Sequence, residues 1–217
     1  MSIVIVGAGP NLGAAVARRF GREGFAVGLI SRNADKLDAM AADLANEGIS
    51  AAAAPADIRD AAALSAAITS LADQLGPVEV LEYSPLPARE FMKPILETSV
   101  DDVRGPLEFS VLGAVAAATT VLGPMLDRGA GTILFTTGGA AINPYPLRAG
   151  VGISFAAEVA YARMLHDELA DRGIHVAHTA IGGRIAPGAD HEPDDVADVL
   201  WRHHTERGAF QVRLGID

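Results

Sequence analysis

A buried strand that runs directly into a glycine-rich turn most constrains what this chain can fold into. Residues 3–6 read IVIV, residues 7–13 read GAGPNLG, and an alanine-rich helical pattern follows. Glycine adopts backbone angles that a side chain forbids, and it lets the main chain approach a phosphate group closely. The next helix directs its unpaired N–H groups and the positive end of its dipole to the same place. The sequence therefore predicts a nucleotide-binding turn, rather than an ordinary turn between a strand and a helix.

Strand and helix patterns alternate along the rest of the chain, as in a parallel sheet covered by helices on both faces. The predicted strands are 3–6, 26–30, 49–54, 78–82, 131–137, 174–181 and 210–214. The predicted helices are 12–23, 33–48 with Asn33 as the cap, 61–75, 100–126, 148–172 and 193–204. We find no internal repeat and no linker, so we expect one doubly wound, seven-stranded α/β domain that comprises residues 1–217. Ligands of such a sheet bind at the carboxyl ends of its strands.

Composition excludes several classes of function. The formal net charge of −10 argues against nucleic acid or an anionic membrane as a partner, since both require a basic surface. The chain has no cysteine, which excludes disulfides, thiol catalysis and thiolate metal sites. We find no basic leader with a cleavable apolar segment, and no apolar run that approaches the roughly 20 residues of a membrane span. We therefore expect a cytoplasmic protein.

The histidines do not predict a metal site. His175 and His178 are three residues apart on a predicted strand and so point to opposite faces. His203 and His204 diverge on a helix, and no carboxylate has ligand spacing beside a third histidine. His191, in the loop after the sixth strand, is a candidate acid or base, or alternatively a solvent-exposed residue.

Arg32, which follows the second strand, bears on the choice of nucleotide. An acidic residue here accepts hydrogen bonds from the adenosine ribose of NAD, whereas an arginine pairs with the additional phosphate of NADP. Ser31 and Asn33 flank it with further donors. The sequence favours NADP over NAD, the alternative being a surface arginine at a helix start. Asp57, at the end of the third strand, either caps a helix or receives the adenine amino group.

These segments together resemble the short-chain dehydrogenase/reductase superfamily, and the resemblance covers essentially the whole chain. The segments that carry it are GAGPNLG, ISRN, PAD ending at Asp57, LGPVEVLEYSP, LEFSVLGAVAA, GTILFTTGGA, LHDELADRGIHV and TAIGG. The resemblance implies a Rossmann fold, NAD(P)(H) binding, and hydride transfer between the nicotinamide and an alcohol or carbonyl. The cofactor residues that it implies are Gly7, Gly9, Asn11, Leu12, Gly13, Ser31, Arg32, Asn33, Asp57, Ile58, Tyr83 and Ser84.

The resemblance also implies a homodimer or homotetramer. The helices expected to form it carry small residues at positions 113–125 and 150–165, which suits close packing between subunits. The alternative is that these small-residue faces pack only on the sheet of their own chain.

Several positions depart from the family's pattern. The middle glycine of the turn falls on Asn11, which tolerates left-handed backbone angles better than most residues. The family's Asn-Asn-Ala-Gly falls on residues 83–86, which read YSPL. A catalytic asparagine falls on Ser110, and the catalytic serine falls on Gly138, with Thr137 adjacent.

The tyrosine and lysine that perform the family's proton transfer fall on Val151 and Phe155. No Tyr-x-x-x-Lys occurs anywhere, because the only lysines are Lys36 and Lys93. A phenol with a pKa of about 10 is a poor acid or base at neutral pH without a neighbouring cation. The family's lysine also binds the nicotinamide ribose, so we expect weaker cofactor binding. General acid–base catalysis contributes about 10²- to 10⁴-fold in rate, so hydride transfer without it is slow but feasible.

Four residues are candidates to replace the missing groups. Tyr145 with Arg148 is the strongest pair, since a guanidinium lowers the pKa of a neighbouring phenol, but both can also be solvated loop residues. Thr137, Ser110 and Ser154 can hydrogen-bond a substrate carbonyl, or each can be tied to the backbone. Tyr83 either stacks near the cofactor or packs in the core.

Three functions are compatible with this sequence. The first is an NADP-dependent oxidoreductase of a small apolar metabolite that uses a non-standard proton relay. The second is a non-redox enzyme on the same scaffold, such as a cyclase, isomerase or dehydratase. The third is a catalytically silent homologue that retains binding. The intact cofactor half favours the first.

Overall fold

One parallel sheet organises the chain, as predicted. The computed structural model describes residues 1–216 and contains the strands β1 (Ser2–Val6), β2 (Ala26–Ile30), β3 (Ala51–Ala53), β4 (Val78–Tyr83), β5 (Gly131–Gly138), β6 (Ile174–Ile181) and β7 (Gln211–Leu214). Their order across the sheet is β3-β2-β1-β4-β5-β6-β7, and neighbouring strands are parallel. The order reverses between β1 and β4, and ligands of doubly wound sheets bind at such a switch point.

Helices cover both faces of the sheet. They are α1 (Leu12–Arg22), α2 (Ala34–Asn46), α3 (Ala61–Leu75), α4 (Val100–Leu107), α5 (Gly113–Arg128), α6 (Ala149–Leu169) and α7 (Pro193–Glu206). Ile3 and Ile5 of β1 pack in a core with α1, α2 and α7, whereas Val4 and Val6 pack in a second core with α3, α5 and α6. Because successive side chains of a strand point to opposite faces, β1 has to be apolar throughout.

Side-chain caps fix the starts of three helices. The Asn33 side chain accepts the N–H of Lys36 at 2.9 Å, which confirms the predicted cap. Asp60 accepts the N–H of Ala63 in the same way at the start of α3. Helix α4 begins with a capping box formed by Ser99 and Asp102. These side chains satisfy N–H groups that the first turn of a helix leaves unpaired.

A π turn at Glu108–Leu112 joins α4 to α5, so that the predicted helix over 100–126 is continuous but irregular. The Tyr83 hydroxyl donates a hydrogen bond to the Phe109 carbonyl within this turn. A Cβ at Gly113 would collide with the same hydroxyl, so the first residue of α5 must be small. The π turn therefore lies directly against the carboxyl end of β4, which is where ligands of this fold bind.

The helix formed by residues 100–128 is long and apolar enough, by length and composition, to cross a membrane. Our expectation that no apolar run approaches the roughly 20 residues of a membrane span is therefore wrong. In this fold the helix packs against the sheet through Ala114, Ala117, Val121 and Met125, all of which are buried. Its position as a core helix accounts for its apolar composition.

Candidate functional site

The glycine turn lies between β1 and α1, beside the switch point of the sheet. Gly7 has a φ of +99°, and a Cβ at Gly7 would lie 2.6 Å from the Cα of Pro85, which follows β4. A Cβ at Gly13 would lie 2.9 Å from the Cα of Ala8. Both positions therefore require glycine, because the backbone segments approach too closely for a side chain.

The N-terminus of α1 faces the same turn with its backbone donors. Asn11 occupies the cap position, but its side chain makes no capping hydrogen bond to the first turn, which begins at Leu12. The carbonyl of Gly9 accepts the N–H of Ala14 at 2.9 Å and so holds the turn against the helix. N–H groups that no cap satisfies are ready donors to an anion, so this turn fits a pyrophosphate.

A cleft of about 160 Å³ adjoins the turn at the carboxyl ends of β2 and β3. Gly7 lines this cleft, and so do four more of the predicted cofactor residues, namely Ser31, Arg32, Asp57 and Ile58. The opposite side of the cleft is mostly apolar and is formed by Pro85, Leu86, Ala88, Glu90, Phe91 and Phe109. Five of the predicted cofactor residues, which follow the first three strands, are thus brought together around one cleft.

Two arginines and two carboxylates, those of Asp57 and Glu90, set the charge of this cleft. A hydrogen bond from Arg59, whose Nη2 lies 3.0 Å from Oδ2 of Asp57, lowers the pKa of that carboxyl, so Asp57 is ionised at neutral pH. Within residues 1–216, no carboxylate lies within 4.0 Å of the Arg32 guanidinium, which leaves it available to a phosphate. Sequence reasoning missed Arg59, although its position two residues after Asp57 could have identified it as a second arginine of the cleft.

Three predicted cofactor residues have their polar groups engaged within the chain. The side-chain oxygen of Asn33 caps α2, which leaves only its amide N–H groups for a ligand. Tyr83 is fully buried against Phe135, so it packs in the core and does not stack on a cofactor. The Ser84 hydroxyl donates to Oε2 of Glu82 at 2.9 Å.

Glu82 is a buried carboxyl that sequence reasoning did not select. It is fully buried in β4, and its second oxygen accepts a hydrogen bond from Oγ1 of Thr136 at 3.4 Å. Burial raises the pKa of Glu82 to about 8, because desolvation penalises the ionised form more than the two hydroxyl donors favour it. The carboxyl therefore carries its proton at neutral pH.

Val151 and Phe155, on which the resemblance places the family's tyrosine and lysine, form an apolar wall. Both side chains are 5% exposed, and both pack against Phe91. A Cβ at Gly138 would lie 3.3 Å from Cε2 of Phe155. The three positions thus lie close together, and none of their side chains can exchange a proton at neutral pH.

Ser110 of the π turn and Ser154 of α6 meet beside this wall. Their Oγ atoms lie 3.3 Å apart, and Ser154 also contacts the carbonyl of Val151 at 3.3 Å. Glu158 lies beside Ser110, and burial raises the pKa of Glu158 well above its usual value. Its Oε1 has no hydrogen-bond partner within the part of the chain that the structure describes.

Positions 151, 154, 155 and 158 share one face of α6, because residues three and four apart in a helix lie above one another. Sequence reasoning selected Ser154 and missed Glu158. The spacing from Phe155 would have pointed to Glu158, since an acidic residue on the buried face of an apolar helix is unusual.

Thr137 and Tyr145 occupy very different surroundings. Thr137 is only 3% exposed, and its Oγ1 lies 2.8 Å from Nε2 of His178. Tyr145 is 54% exposed, and its carbonyl accepts the backbone N–H of Arg148 at 2.9 Å. The expected contact between the phenol and the guanidinium is not among the contacts that the structure describes over residues 1–216. His191 uses its Nε2 to bond the Gly182 carbonyl at 2.7 Å, so it holds the loop after β6.

Comparison with known proteins identifies the family. The model of the short chain dehydrogenase family matches residues 1–192. The 2,3-dihydro-2,3-dihydroxybenzoate dehydrogenase of Bacillus subtilis (strain 168) is 31% identical over 213 residues, which are 97% of this chain and 76% of that protein. A crystal structure of a short-chain dehydrogenase from Rhodopseudomonas palustris is 27% identical, with a TM-score of 0.87 over 98% of this chain and 96% of the other.

Two more distant structures share the fold and hold different nucleotides. Actinorhodin polyketide ketoreductase with NADPH is 21% identical, with a TM-score of 0.89 over 99% of this chain and 95% of the other. A 3-oxoacyl-(acyl-carrier protein) reductase from Brucella melitensis with NAD is 22% identical, with a TM-score of 0.86 over 99% of this chain and 89% of the other. The matched residues 1–192 include the glycine turn, the cleft and the apolar wall. This chain therefore belongs to the short-chain dehydrogenase family.

Proposed function

We propose that this protein is an NAD(P)(H)-dependent oxidoreductase that acts on a carbonyl or alcohol of a small apolar metabolite and prefers NADP(H) to NAD(H). The observation that carries the proposal is the continuity of the glycine turn with the cleft that contains Arg32, since Gly7 lines both. Among structures of the same fold, one complex holds NADPH and another holds NAD, so the preference is argued from this chain's own residues.

The residues around the cleft fit a dinucleotide with an additional phosphate. Gly7 and Gly13 keep the turn free of side chains, and the start of α1 supplies N–H donors to the pyrophosphate. Arg32 and Ser31 supply a guanidinium and a hydroxyl to the additional phosphate, with which an arginine forms strong charge-assisted hydrogen bonds. Asp57, held ionised by Arg59, accepts a hydrogen bond from the adenine amino group. When bound, the nicotinamide supplies or accepts the hydride.

An apolar substrate suits the surfaces that border the altered wall. Leu86, Leu96, Tyr145 and Leu147 are exposed on the loops that follow β4 and β5. Val151 and Phe155 add the apolar wall itself. Burial of such side chains against an apolar ligand contributes about 25 cal/mol per Å² of surface removed from water, whereas a charged ligand would lose its hydration there.

A non-standard relay replaces the family's tyrosine and lysine in this proposal. Hydroxyl groups of Thr137, Ser110 and Ser154 border the wall from β5, the π turn and α6. Each can donate a hydrogen bond to the oxygen of a substrate, and Tyr145 is a further donor on the exposed loop. Donors aimed at the developing oxyanion lower the barrier even where no side chain delivers a proton.

We also propose that the protein forms a homodimer or homotetramer in the cytoplasm. Leu112, Leu126, Ile153 and Met164 are exposed on or beside α5 and α6, the two helices with small-residue faces. An interface through these helices would cover that apolar surface. The net charge of −10 supports a small-molecule ligand over nucleic acid or an anionic membrane. Size-exclusion chromatography with light scattering tests the assembly, and a monomer would contradict it.

Titration of the purified protein with NADPH, followed by nicotinamide fluorescence, tests the proposed function. We expect saturable binding of NADPH and weaker binding of NADH. No binding at millimolar NADPH would overturn the proposal. A panel of apolar aldehydes and ketones, assayed by the loss of NADPH absorbance, then tests the substrate class, and turnover of charged substrates alone would contradict it.

A further inference from the structure

We propose that Arg213, Gln211 and His178 form a directional chain of hydrogen bonds that presents the Thr137 hydroxyl as a donor to the substrate's carbonyl oxygen. The inference rests on the proposed function and identifies one donor of that site. Its starting point is the buried contact between Thr137 on β5 and His178 on β6.

The chain crosses three adjacent strands. Nε of Arg213 lies 3.1 Å from Oε1 of Gln211 on β7. Nε2 of Gln211 lies 3.0 Å from Nδ1 of His178, its register partner on β6. Nε2 of His178 lies 2.8 Å from Oγ1 of Thr137 on β5. The register of the parallel strands thus places four side chains in one line.

The first residue of the chain determines its direction. An arginine can only donate hydrogen bonds, so the amide oxygen of Gln211 faces Arg213 and the amide N–H faces His178. Nδ1 of His178 must then accept. A neutral imidazole carries a single ring hydrogen, which is therefore on Nε2 and is donated to Thr137. The Thr137 oxygen is an acceptor in this bond, so its own hydrogen is free for another partner.

Burial keeps His178 in this neutral form. The ring is fully buried and stacks on Phe210, and desolvation lowers the pKa of His178 to about 4. A protonated ring would carry N–H groups on both nitrogens, and one of them would oppose the amide N–H of Gln211. The direction of the chain is consequently the same throughout the neutral pH range.

Thr137 is almost fully buried near the carboxyl end of β5. It directly precedes Gly138, at which a Cβ would lie 3.3 Å from Phe155 of the apolar wall. No acceptor for the Thr137 hydroxyl hydrogen is recorded within residues 1–216. Successive hydrogen bonds polarise one another, so the guanidinium charge at the start of the chain strengthens the last donor. The chain thus prepares an oxyanion donor before substrate binds.

The hydrogen-bond chain does not deliver a proton to the substrate. If His178 lost its ring proton, the side-chain amide of Gln211 could not replace it. In the reductive direction the substrate's carbonyl carbon takes the hydride, and its oxygen accepts a hydrogen bond from Thr137. The proton that completes the alcohol then comes from solvent water, so the carbonyl is reduced as NADPH is oxidised. Thr137 is therefore a catalytic residue, while His178, Gln211 and Arg213 are positioning residues.

The protein contains a matched control for Thr137 at the other end of β5. Oγ1 of Thr132 lies 2.9 Å from Nδ1 of His204, which forms the same type of side-chain pair. Thr132 is the second residue of β5, whereas Thr137 is the second from its carboxyl end. Removing the Thr132 hydroxyl should therefore change stability but not the reaction.

Gln211→Glu tests the direction directly, because a carboxylate accepts and would bind an N–H on Nδ1. The Nε2 of His178 would then accept from Thr137, and the free donor would be lost. We expect ¹⁵N NMR of the histidine rings to show hydrogen on Nε2 of His178 in the wild type and on Nδ1 in Gln211→Glu. The same tautomer in both proteins, or hydrogen on Nδ1 in the wild type, would overturn the proposal.

Kinetics on the substrate found by the carbonyl panel give the second readout. Thr137→Val and Gln211→Glu should each lower kcat about 10²-fold with little change in KM, as for other oxyanion donors. Thr137→Ser should retain activity, and Thr132→Val should leave kcat unchanged. A loss of kcat in Thr137→Val without a loss in Gln211→Glu would overturn the proposed role of the hydrogen-bond chain. If the wild type binds NADPH but reduces nothing, the proposed function fails, while the tautomer comparison still decides the direction of the chain.

Discussion

Ser110 and Ser154 lie 3.3 Å apart at their Oγ atoms, although they come from the π turn and from the middle of α6. The resemblance places the family's catalytic asparagine on Ser110 and its lysine on Phe155, directly after Ser154. The π turn and α6 therefore meet at the residues that the resemblance selects. Glu158 completes a buried polar cluster there, next to a wall made of Val151 and Phe155.

Arg32 is expected to determine the affinity for NADPH. Hydrogen bonds to charged groups contribute about 1.5–3 kcal/mol, so Arg32→Ala should weaken NADPH binding by roughly one to two orders of magnitude. Affinity for NADH, which lacks the additional phosphate, should change little. Fluorescence titration of both nucleotides measures the two constants. Arg104→Ala, at an exposed position of α4, is the control, and equal losses for NADPH and NADH in Arg32→Ala would contradict the assignment.

Arg32 and the glycine turn could be predicted as neighbours from the sequence alone. A strand, a glycine turn, a helix and the residue after the next strand are close along the chain, so spacing alone places them. The contacts of the candidate catalytic residues could not be predicted in this way. Thr137 and His178 are 41 residues apart, Ser110 and Ser154 are 44 apart, and both contacts depend on strand register or on the π turn. Hydrophobic periodicity carries no information about those details.

Gly7 should tolerate no side chain. Gly7→Ala would place a Cβ 2.6 Å from the backbone of Pro85 in addition to the strain of a φ of +99°. Gly24→Ala is a matched control, since Gly24 has a φ of +90° and no atom within 4 Å of the added Cβ. Urea unfolding should show a loss of about 1 kcal/mol for Gly24→Ala and a clearly larger one for Gly7→Ala. Gly7→Ala should also abolish NADPH binding. Equal stability losses would mean that the turn moves to accommodate the methyl group.

Glu82 should make stability fall as the pH rises. Its pKa is about 4.5 in an ordinary environment and is raised to about 8 by burial, so the folded state holds an extra proton between these values. Its contribution is fully present below pH 4.5 and is lost progressively as the pH rises to about 8, at no more than about 1.4 kcal/mol per pH unit.

Glu82→Gln removes this dependence, because an amide does not ionise. The variant should gain stability relative to the wild type as the pH increases from 5 to 8, as measured by urea unfolding at several pH values. Glu97→Gln, on an exposed turn, is the control and should show no such trend. A pH-independent difference between wild type and Glu82→Gln would mean that the buried carboxyl is not protonated in the folded protein.

Phe155 is expected to be part of a closed wall that excludes water. Phe155→Lys would bury an ammonium group against Phe91 and Val151, on the same face of α6 as the buried carboxyl of Glu158. Because burial disfavours the ionised forms of both groups, the substitution should lower the free energy of unfolding by several kcal/mol, or should drive the lysine to its neutral form. Phe155→Met preserves most of the apolar volume and should cost less than about 1.5 kcal/mol.

Urea unfolding at pH 7 and pH 10 distinguishes a buried charged lysine from a buried neutral one, since a neutralised lysine makes the variant relatively more stable at high pH. A Phe155→Lys variant as stable as Phe155→Met at both pH values would show that water reaches the wall.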